Sequence, residues 1–525
     1  ILKAPVDLLW NGGIGTYVKA SSETHADVRD RANNALRVDG GELRCKVVGE
    51  GGNLGFTQKG RIEAAQNGVL LNTDFIDNSA GVDTSDHEVN IKILLNDAVK
   101  RNELSVDARN AQLASMTEEV GKLVLWDNYR QNQAITLMEH QSVRRIGSMA
   151  HFIRTLEAEG TLDRQVENLP SDAELAERKS REQGLSRPEL AVLLSYDKMR
   201  LFQQLLDSDV PEDPYLSREL VRYFPEPLHE KYAEHMQRHR LKREIIATAV
   251  TNSTINRMGA TFMMRMQEDT GQRPAAIAKA YTAAREILDA RELWAELEAL
   301  DSKVAEGTQT DAILKIWALL RHMTRWLLNR PGGMLDIAAN VERYQGVVSD
   351  LRKALPHVLG KAGQGDFTCD REKWEGLGMP SALALRLARM PDLRAALDMA
   401  EIARQSDEPI EKVARIFYEL GEALDLGWLR DQIEALPVEG HWHAQARGSL
   451  LDELNQQHRA LAQQVLSMGV DDSGDVSAVQ AWLQRDDATL QHTRSMLAEI
   501  LTQNADYPIA SVAVRRLAQL AQLPV

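Results

Sequence analysis

Three short segments bring glycine and asparagine together: Asn11-Gly12-Gly13-Ile14-Gly15, Gly49-Glu50-Gly51-Gly52-Asn53 and Asp77-Asn78-Ser79-Ala80-Gly81-Val82. Glycine lets a backbone approach a flat or phosphorylated ligand closely. An asparagine side chain offers one acceptor and two donors without adding charge, so it can pair with a carboxamide or a ribose hydroxyl. Turn formation alone would account for any one of these segments. Their recurrence at the ends of three successive candidate strands favours a ligand site, because ligands of open α/β sheets bind where loops leave the carboxyl ends of strands. Gly12-Gly13-Ile14-Gly15 lacks the full G-x-G-x-x-G spacing of a phosphate-binding turn and carries little weight alone.

Other residues able to do chemistry read more plainly. Ser85-Asp86-His87-Glu88 has the form of a capping box at the head of a helix, where the serine hydroxyl serves backbone donors. His87 then has a structural role, with acid–base work as the alternative. His235 and His239 stand one helical turn apart without acidic neighbours in sequence and suggest a polar helix face. His441-Trp442-His443 has no carboxylate or third histidine at ligand spacing, so a surface or packing role is expected and no metal site. Arg321, Arg325 and Arg330 with Trp317 and Trp326 suggest a basic, aromatic helix in which arginine stacks on tryptophan or meets another domain.

The elements that must position these residues fall into two regimes. Val6–Trp10, Cys45–Val48 and Val69–Asn72 are candidate strands, separated by helical stretches over about 23–37 and from Thr57 to Gln66. Asp39-Gly40-Gly41 stops the first helix and Asn67-Gly68 the second. Strands spaced by helices predict a parallel sheet with crossover connections. From Ser85 onward the pattern is helical, broken by clusters such as Asp209-Val210-Pro211-Glu212-Asp213-Pro214 and Asn329-Arg330-Pro331-Gly332-Gly333. Ser186-Arg187-Pro188-Glu189 is a helix start, with a capping serine, glutamate three residues on and proline in the first turn.

Composition narrows the function classes. The chain has 525 residues, enough for two to four domains. Its net charge is −15 with no long basic run, which argues against nucleic acid as the main ligand. Two cysteines, Cys45 and Cys369, cannot build a disulfide framework or a thiolate cluster. No apolar run reaches the ~20 residues of a membrane span and no signal peptide opens the chain, so a cytoplasmic protein without membrane contact is expected. Residue 1 is Ile and leads straight into an apolar strand, which suggests part of something longer.

The loop wording resembles a known family. Val48-Gly49-Glu50-Gly51-Gly52-Asn53-Leu54-Gly55-Phe56-Thr57 is similar to the strand-end motif of glutamate dehydrogenases, and Asp77 to Ser85 to their later Asn-Ala-Gly-Gly-Val-x-x-Ser motif. Trp10-Asn11-Gly12-Gly13-Ile14-Gly15-Thr16-Tyr17, Ser85-Asp86-His87-Glu88-Val89-Asn90-Ile91-Lys92, Gly184-Leu185-Ser186-Arg187-Pro188-Glu189-Leu190 and Arg243-Glu244-Ile245-Ile246-Ala247-Thr248 resemble the large-subunit, NAD-specific branch. Two departures from the general family suit that branch: Ser79-Ala80 where Ala and Gly are usual, and Gly55-Phe56 for Pro-Thr.

The resemblance implies NAD as cofactor, held at Asn53, Asn78, Gly51 and Gly52, and L-glutamate bound by Ser85 through its side-chain carboxylate. It implies oxidative deamination to 2-oxoglutarate and ammonia, and self-association as a homo-tetramer. The pyrophosphate turn and the catalytic lysine and aspartate are expected upstream of Ile1, so no catalytic residue is assigned and the chain alone is expected to be inactive. The expected fold is a partial Rossmann-type parallel sheet at the N-terminal end followed by a large all-α region. The expected domains are residues 1–160, part of the catalytic domain, and 161–525, a helical C-terminal domain. The competing reading is a non-catalytic helical regulatory or interaction protein with a vestigial nucleotide fold.

Overall fold

The structure, a computed structural model, describes residues 1–330, 335–438, 441–469, 477–501, 503 and 505–523. It divides into two compact units, Ile1–Glu268 with Gln272–Ala278, and Asp269–Gly271 with Lys279–Val525.

The first unit begins with four short strands, β1 (Leu8–Asn11), β2 (Val18–Lys19), β3 (Val38–Asp39) and β4 (Val47–Glu50). β1 and β4 run parallel with Leu8 opposite Val47, and β2 and β3 form a second parallel pair that the sequence pattern did not suggest. The expected third strand at Val69–Asn72 is reduced to one bridge, in which Leu70 N donates to Lys46 O and Val48 N to Leu70 O, both at 2.9 Å. The Asn72 side chain ends it by donating to Asp77 Oδ1 at 2.8 Å and Asn132 Oδ1 at 2.6 Å, and the chain turns into helix at Thr73.

The helix expected over 23–37 does not form. Only α1 (His25–Val28) and a 3-10 turn at Arg31–Asn33 are present, with Arg29 left-handed between them at φ 59°. Side chains take over the backbone partners there. Asp30 accepts from Thr16 N at 2.8 Å and Asn33 Nδ2 at 2.7 Å, and Arg37 Nε donates to Thr16 O at 2.8 Å. Such local bonds compete with helical ones.

α2 (Gln58–Gln66) follows the expectation. Thr57 caps it by accepting from Gly60 N at 3.0 Å, and Gly68 at φ +88° follows its end. Val18, Leu43, Cys45, Val48, Phe56, Ala64, Val69 and Leu71 form the core under the strands.

α3 (Asp74–Asp77) leads directly into α4 (Ser79–Lys100). Ser85 therefore lies inside α4 and does not cap it; its Oγ donates to Gly81 O, four residues back, at 3.3 Å. The cap reading fails because Ser79-Ala80-Gly81, small and without proline, lets the helix start two turns earlier.

α5 (Val106–Ser115), α6 (Thr117–His140), α7 (Ser142–Ala158), α8 (Asp172–Ser180), α9 (Arg187–Leu206), α10 (Ser217–Tyr223), α11 (Ala233–Gln237) and α12 (Lys242–Met258) complete the part of this unit used below. α9 starts at Ser186 as expected, with Glu189 Oε2 accepting from Ser186 N at 2.7 Å. His235 and His239 are buried, which corrects the polar-face reading. His235 is held between Asp97 and Glu103 at 2.8 Å each, and His239 bonds Asn90 O at 3.1 Å. The acidic partners come from α4 and the turn after it, distant in sequence.

The second unit consists of helices joined by turns, with no strand among its described residues. Within it the Arg330 guanidinium lies 5.2 Å from the Trp326 ring centre, the stacking expected from sequence, and Arg325 pairs with Asp269 at 3.0 Å and Asp452 at 2.8 Å. His443 stacks on Tyr507 at 5.2 Å. The Pro331-Gly332-Gly333 break and the His441 side chain lie outside the described residues. No helix among the described residues is long and apolar enough to cross a membrane.

Candidate functional site

The carboxyl ends of β1 and β4 lie side by side because the strands are parallel and in register, Asn11 opposite Glu50. The two Gly/Asn loops therefore emerge together. Gly52 N donates to Asn11 O at 2.8 Å, which locks one loop against the other. The glycines of the second loop make close packing possible. A Cβ on Gly49 or Gly51 would fall 2.6 Å or 2.5 Å from the Trp10 indole, and one on Gly52 2.6 Å from Gly13 O.

The third Gly/Asn segment reaches the same place through α3. Asn78 Nδ2 donates to Asn53 Oδ1 at 2.7 Å, so the two asparagines singled out from sequence are in direct contact. Asn53 is exposed and Asn78 half-buried. Ser85 is exposed on α4, seven residues beyond Asn78. Seven residues bring the helix back to nearly the same face about 10 Å along its axis. An open face thus carries two neutral amides at one end and a hydroxyl at the other.

A buried network that sequence reasoning missed holds this arrangement. Glu50, fully buried, receives Arg61 Nε at 2.7 Å and Nη2 at 3.0 Å, and Arg61 also pairs with Asp74 at 3.1 Å. Asp74 Oδ2 accepts from Leu54 N at 2.8 Å and Asp77 Oδ2 from Glu50 N at 3.0 Å. Leu54 takes the left-handed conformation at φ 61°, unusual for a branched side chain, and the Asp74 bond restrains it. Burial pushes the Glu50 carboxyl up to about 6, against the pull of Arg61. Burial also works against the Arg61 charge, but the Glu50 carboxylate more than restores it and raises the guanidinium above its ordinary value. The two shifts weigh the pair differently; the two-point geometry favours the ionised form. The signal in sequence was Glu50 itself, a charge inside an otherwise Gly/Asn string.

Further ties come from the helices. Asn128 Nδ2 donates to Ile76 O at 2.8 Å and Ser79 Oγ at 3.0 Å, which fixes the start of α4 on α6. Arg187, at the head of α9, donates to Asn72 Oδ1 at 3.0 Å and to Thr136 and Glu139 of α6 at 2.9 Å each.

Comparison with known proteins shows the family. Residues 182–519 match the family model "Glutamate dehydrogenase, C-terminal", and residues 1–138 match "Bacterial NAD-glutamate dehydrogenase, catalytic domain". The chain belongs to the large-subunit bacterial NAD-glutamate dehydrogenases. It is 45% identical over 99% of its length to the NAD-specific glutamate dehydrogenase of Halomonas elongata, and 44% identical over 99% to that of Pseudomonas aeruginosa. The Mycobacterium tuberculosis NAD-specific glutamate dehydrogenase is 35% identical over 99% of the chain. In each case the chain spans about a third, 32%, of the relative's length. The catalytic-domain match comes first along the chain and the C-terminal match second.

Proposed function

We propose that this chain supplies the nicotinamide and substrate-carboxylate face of an NAD-dependent glutamate dehydrogenase, which converts L-glutamate to 2-oxoglutarate and ammonia. The observation that carries the proposal is the Asn78–Asn53 contact at the joined carboxyl ends of a parallel strand pair. The residues fit the cofactor. The exposed Asn53 and half-buried Asn78 amides can pair with its carboxamide and ribose, and Gly51 and Gly52 let the strand-end loop close against Trp10 and Gly13 beside them. When bound, NAD supplies the hydride acceptor. Asn53 and Asn78 then orient the nicotinamide half, and Ser85 Oγ turns from Gly81 O to donate to the distal carboxylate of glutamate. This reading treats the strands as part of a Rossmann-type sheet, residues 1–160 as catalytic-domain sequence and 161–525 as the helical C-terminal domain. It also includes a homo-tetramer and a cytoplasmic enzyme; sedimentation of the relatives' full-length counterpart tests the first.

Two measurements test the function. The purified 525-residue chain, given glutamate and NAD, is expected to form no NADH, because no proton-transfer group is assigned in it; steady turnover would overturn that assignment. In a polypeptide of the relatives' length, Ser85→Ala is expected to lower kcat/KM for glutamate on the order of 10- to 100-fold, the loss of one hydrogen bond to a charged group. An effect confined to the KM for NAD would count against Ser85 as the substrate contact. The non-catalytic alternative loses ground to the family membership.

A further inference from the structure

The opposite side of α4 carries a second group of chemistry-bearing side chains that the dehydrogenase reading does not use. Asp83 and His87 stand one turn apart on α4, and Asp127 faces them from α6. One ligand atom from each lies within 4.8 Å of the other two. His87 is 2% exposed; its Nδ1 is shut off from solvent without a hydrogen-bond partner, and its Nε2 lies 3.8 Å from Asp83 Oδ1. Asp83 Oδ2 is likewise shielded and without a partner. Buried polar atoms nearly always have partners, so the orphaned His87 Nδ1 and Asp83 Oδ2 mark this cluster, while Asp127, about a third exposed, faces Arg130 at 3.9 Å. Lys198, which donates to Gln131 Oε1 at 3.1 Å, is the cation on the α9 side.

The histidine is held as a ligand would be. Its ring stacks on Tyr223 with centres 4.3 Å apart and planes 15° from parallel, and the Tyr223 hydroxyl accepts from Asn90 Nδ2 at 2.8 Å. Helix spacing of i and i+4 with a third donor from a neighbouring helix is a metal-site pattern.

We propose that Asp83, His87 and Asp127 form a binding site for one divalent transition-metal ion of the zinc type, which ties the start of α4 to α6. One nitrogen and two carboxylate oxygens suit such an ion, with water in the remaining position. Tetrahedral bonds of about 2.0–2.1 Å place ligand atoms roughly 3.3 Å apart, so the observed spacing closes by small side-chain rotations. The site is independent of the cofactor reading, since it uses the face of α4 turned away from Ser85.

The test uses the full 525-residue chain, stripped with chelator, incubated with Zn2+, gel-filtered and assayed for metal by elemental analysis. The wild type is expected to retain about one zinc more per chain than His87→Phe, which keeps the stack on Tyr223, or Asp127→Asn. With Co2+ in place of zinc, the wild type is expected to show a visible d–d absorption that both variants lose. Circular dichroism checks that each variant is folded, and either folded variant suffices for the comparison. Equal retention in wild type and folded variant, or no retention in the wild type, overturns the proposal.

Discussion

A methyl group on Gly52 would sit 2.6 Å from the Gly13 carbonyl oxygen and 3.0 Å from Gly13 N, and neither backbone atom can swing aside. At Gly51 the obstacle is the edge of the Trp10 indole, 62% exposed and free to turn. The two glycines therefore differ although they are neighbours in one motif. Gly52→Ala is expected to cost about 1–3 kcal/mol of stability, the range for overpacking, and to weaken NAD binding in the relatives' full-length counterpart. Gly51→Ala is expected to cost less than half as much. Thermal unfolding and NAD titration of the two variants check this; equal effects would show that the strand-end loops are not locked through Gly13. The same scale explains what sequence could not show about Ser85. The string Ser85-Asp86-His87-Glu88 has the chemistry of a capping box, but capping depends on where the helix starts, and Ser79-Ala80-Gly81 begins it earlier.

Among the elements, α9 shows how a local signal becomes a tertiary joint. Glu189 is 1% exposed, accepts from Ser186 N at 2.7 Å, and is bridged by both Arg178 Nη atoms at 2.9 Å. One carboxylate thus closes the cap of α9 and pins α8 to it. Glu189→Ala leaves Arg178 facing a gap and removes the cap acceptor, so a loss of about 3–5 kcal/mol is expected. Glu189→Gln keeps an acceptor for the cap and is expected to fall between. Denaturant unfolding measures both; a loss below about 1 kcal/mol for the alanine variant would mean the joint is not structural. The start of this helix was legible because capping is a short-range affair of Ser186, Pro188 and Glu189. So was α2, with Thr57 at one end and Gly68 at the other. The 23–37 segment was misread because Asp30 and Arg37 draw on Thr16, a partner outside the window that periodicity inspects. The Val69–Asn72 strand was overextended for the same kind of reason, since Asn72 answers to Asp77, Asn132 and Arg187. In the candidate site, residue type was enough to single out Asn53 and Asn78, which lie in contact, while the Glu50–Arg61–Asp74 network escaped notice because its members come from three separate elements.

Across the molecule, buried titratable groups set opposing pH dependences, and the second unit allows one to be isolated. His458 is 4% exposed, stacks on Phe417 with centres 3.6 Å apart and bonds its carbonyl oxygen through Nε2 at 2.9 Å. Burial, reinforced by Arg430, pushes the ring from its ordinary 6.5 down to about 3. An unfolded chain takes up a proton near pH 6.5 that the folded chain refuses until about pH 3, so this group withdraws stability as pH falls through that window. Asp392 and Asp398 act the other way. Burial raises both to about 6, so the folded chain holds their protons longer, and the stability they lend at low pH is lost as pH rises through about 4 to 6. The unfolding curve of the wild type mixes these effects and is flatter than either. The difference between wild type and His458→Gln removes the aspartates, which the two proteins share. Gln can still donate to Phe417 O but takes up no proton. The stability advantage of the wild type at pH 7 is therefore expected to shrink on the order of 2 kcal/mol by pH 4.5, one pKa unit being about 1.4 kcal/mol. Circular dichroism melts across that range read the difference; a gap that stays constant with pH would show that His458 is protonated in the folded chain.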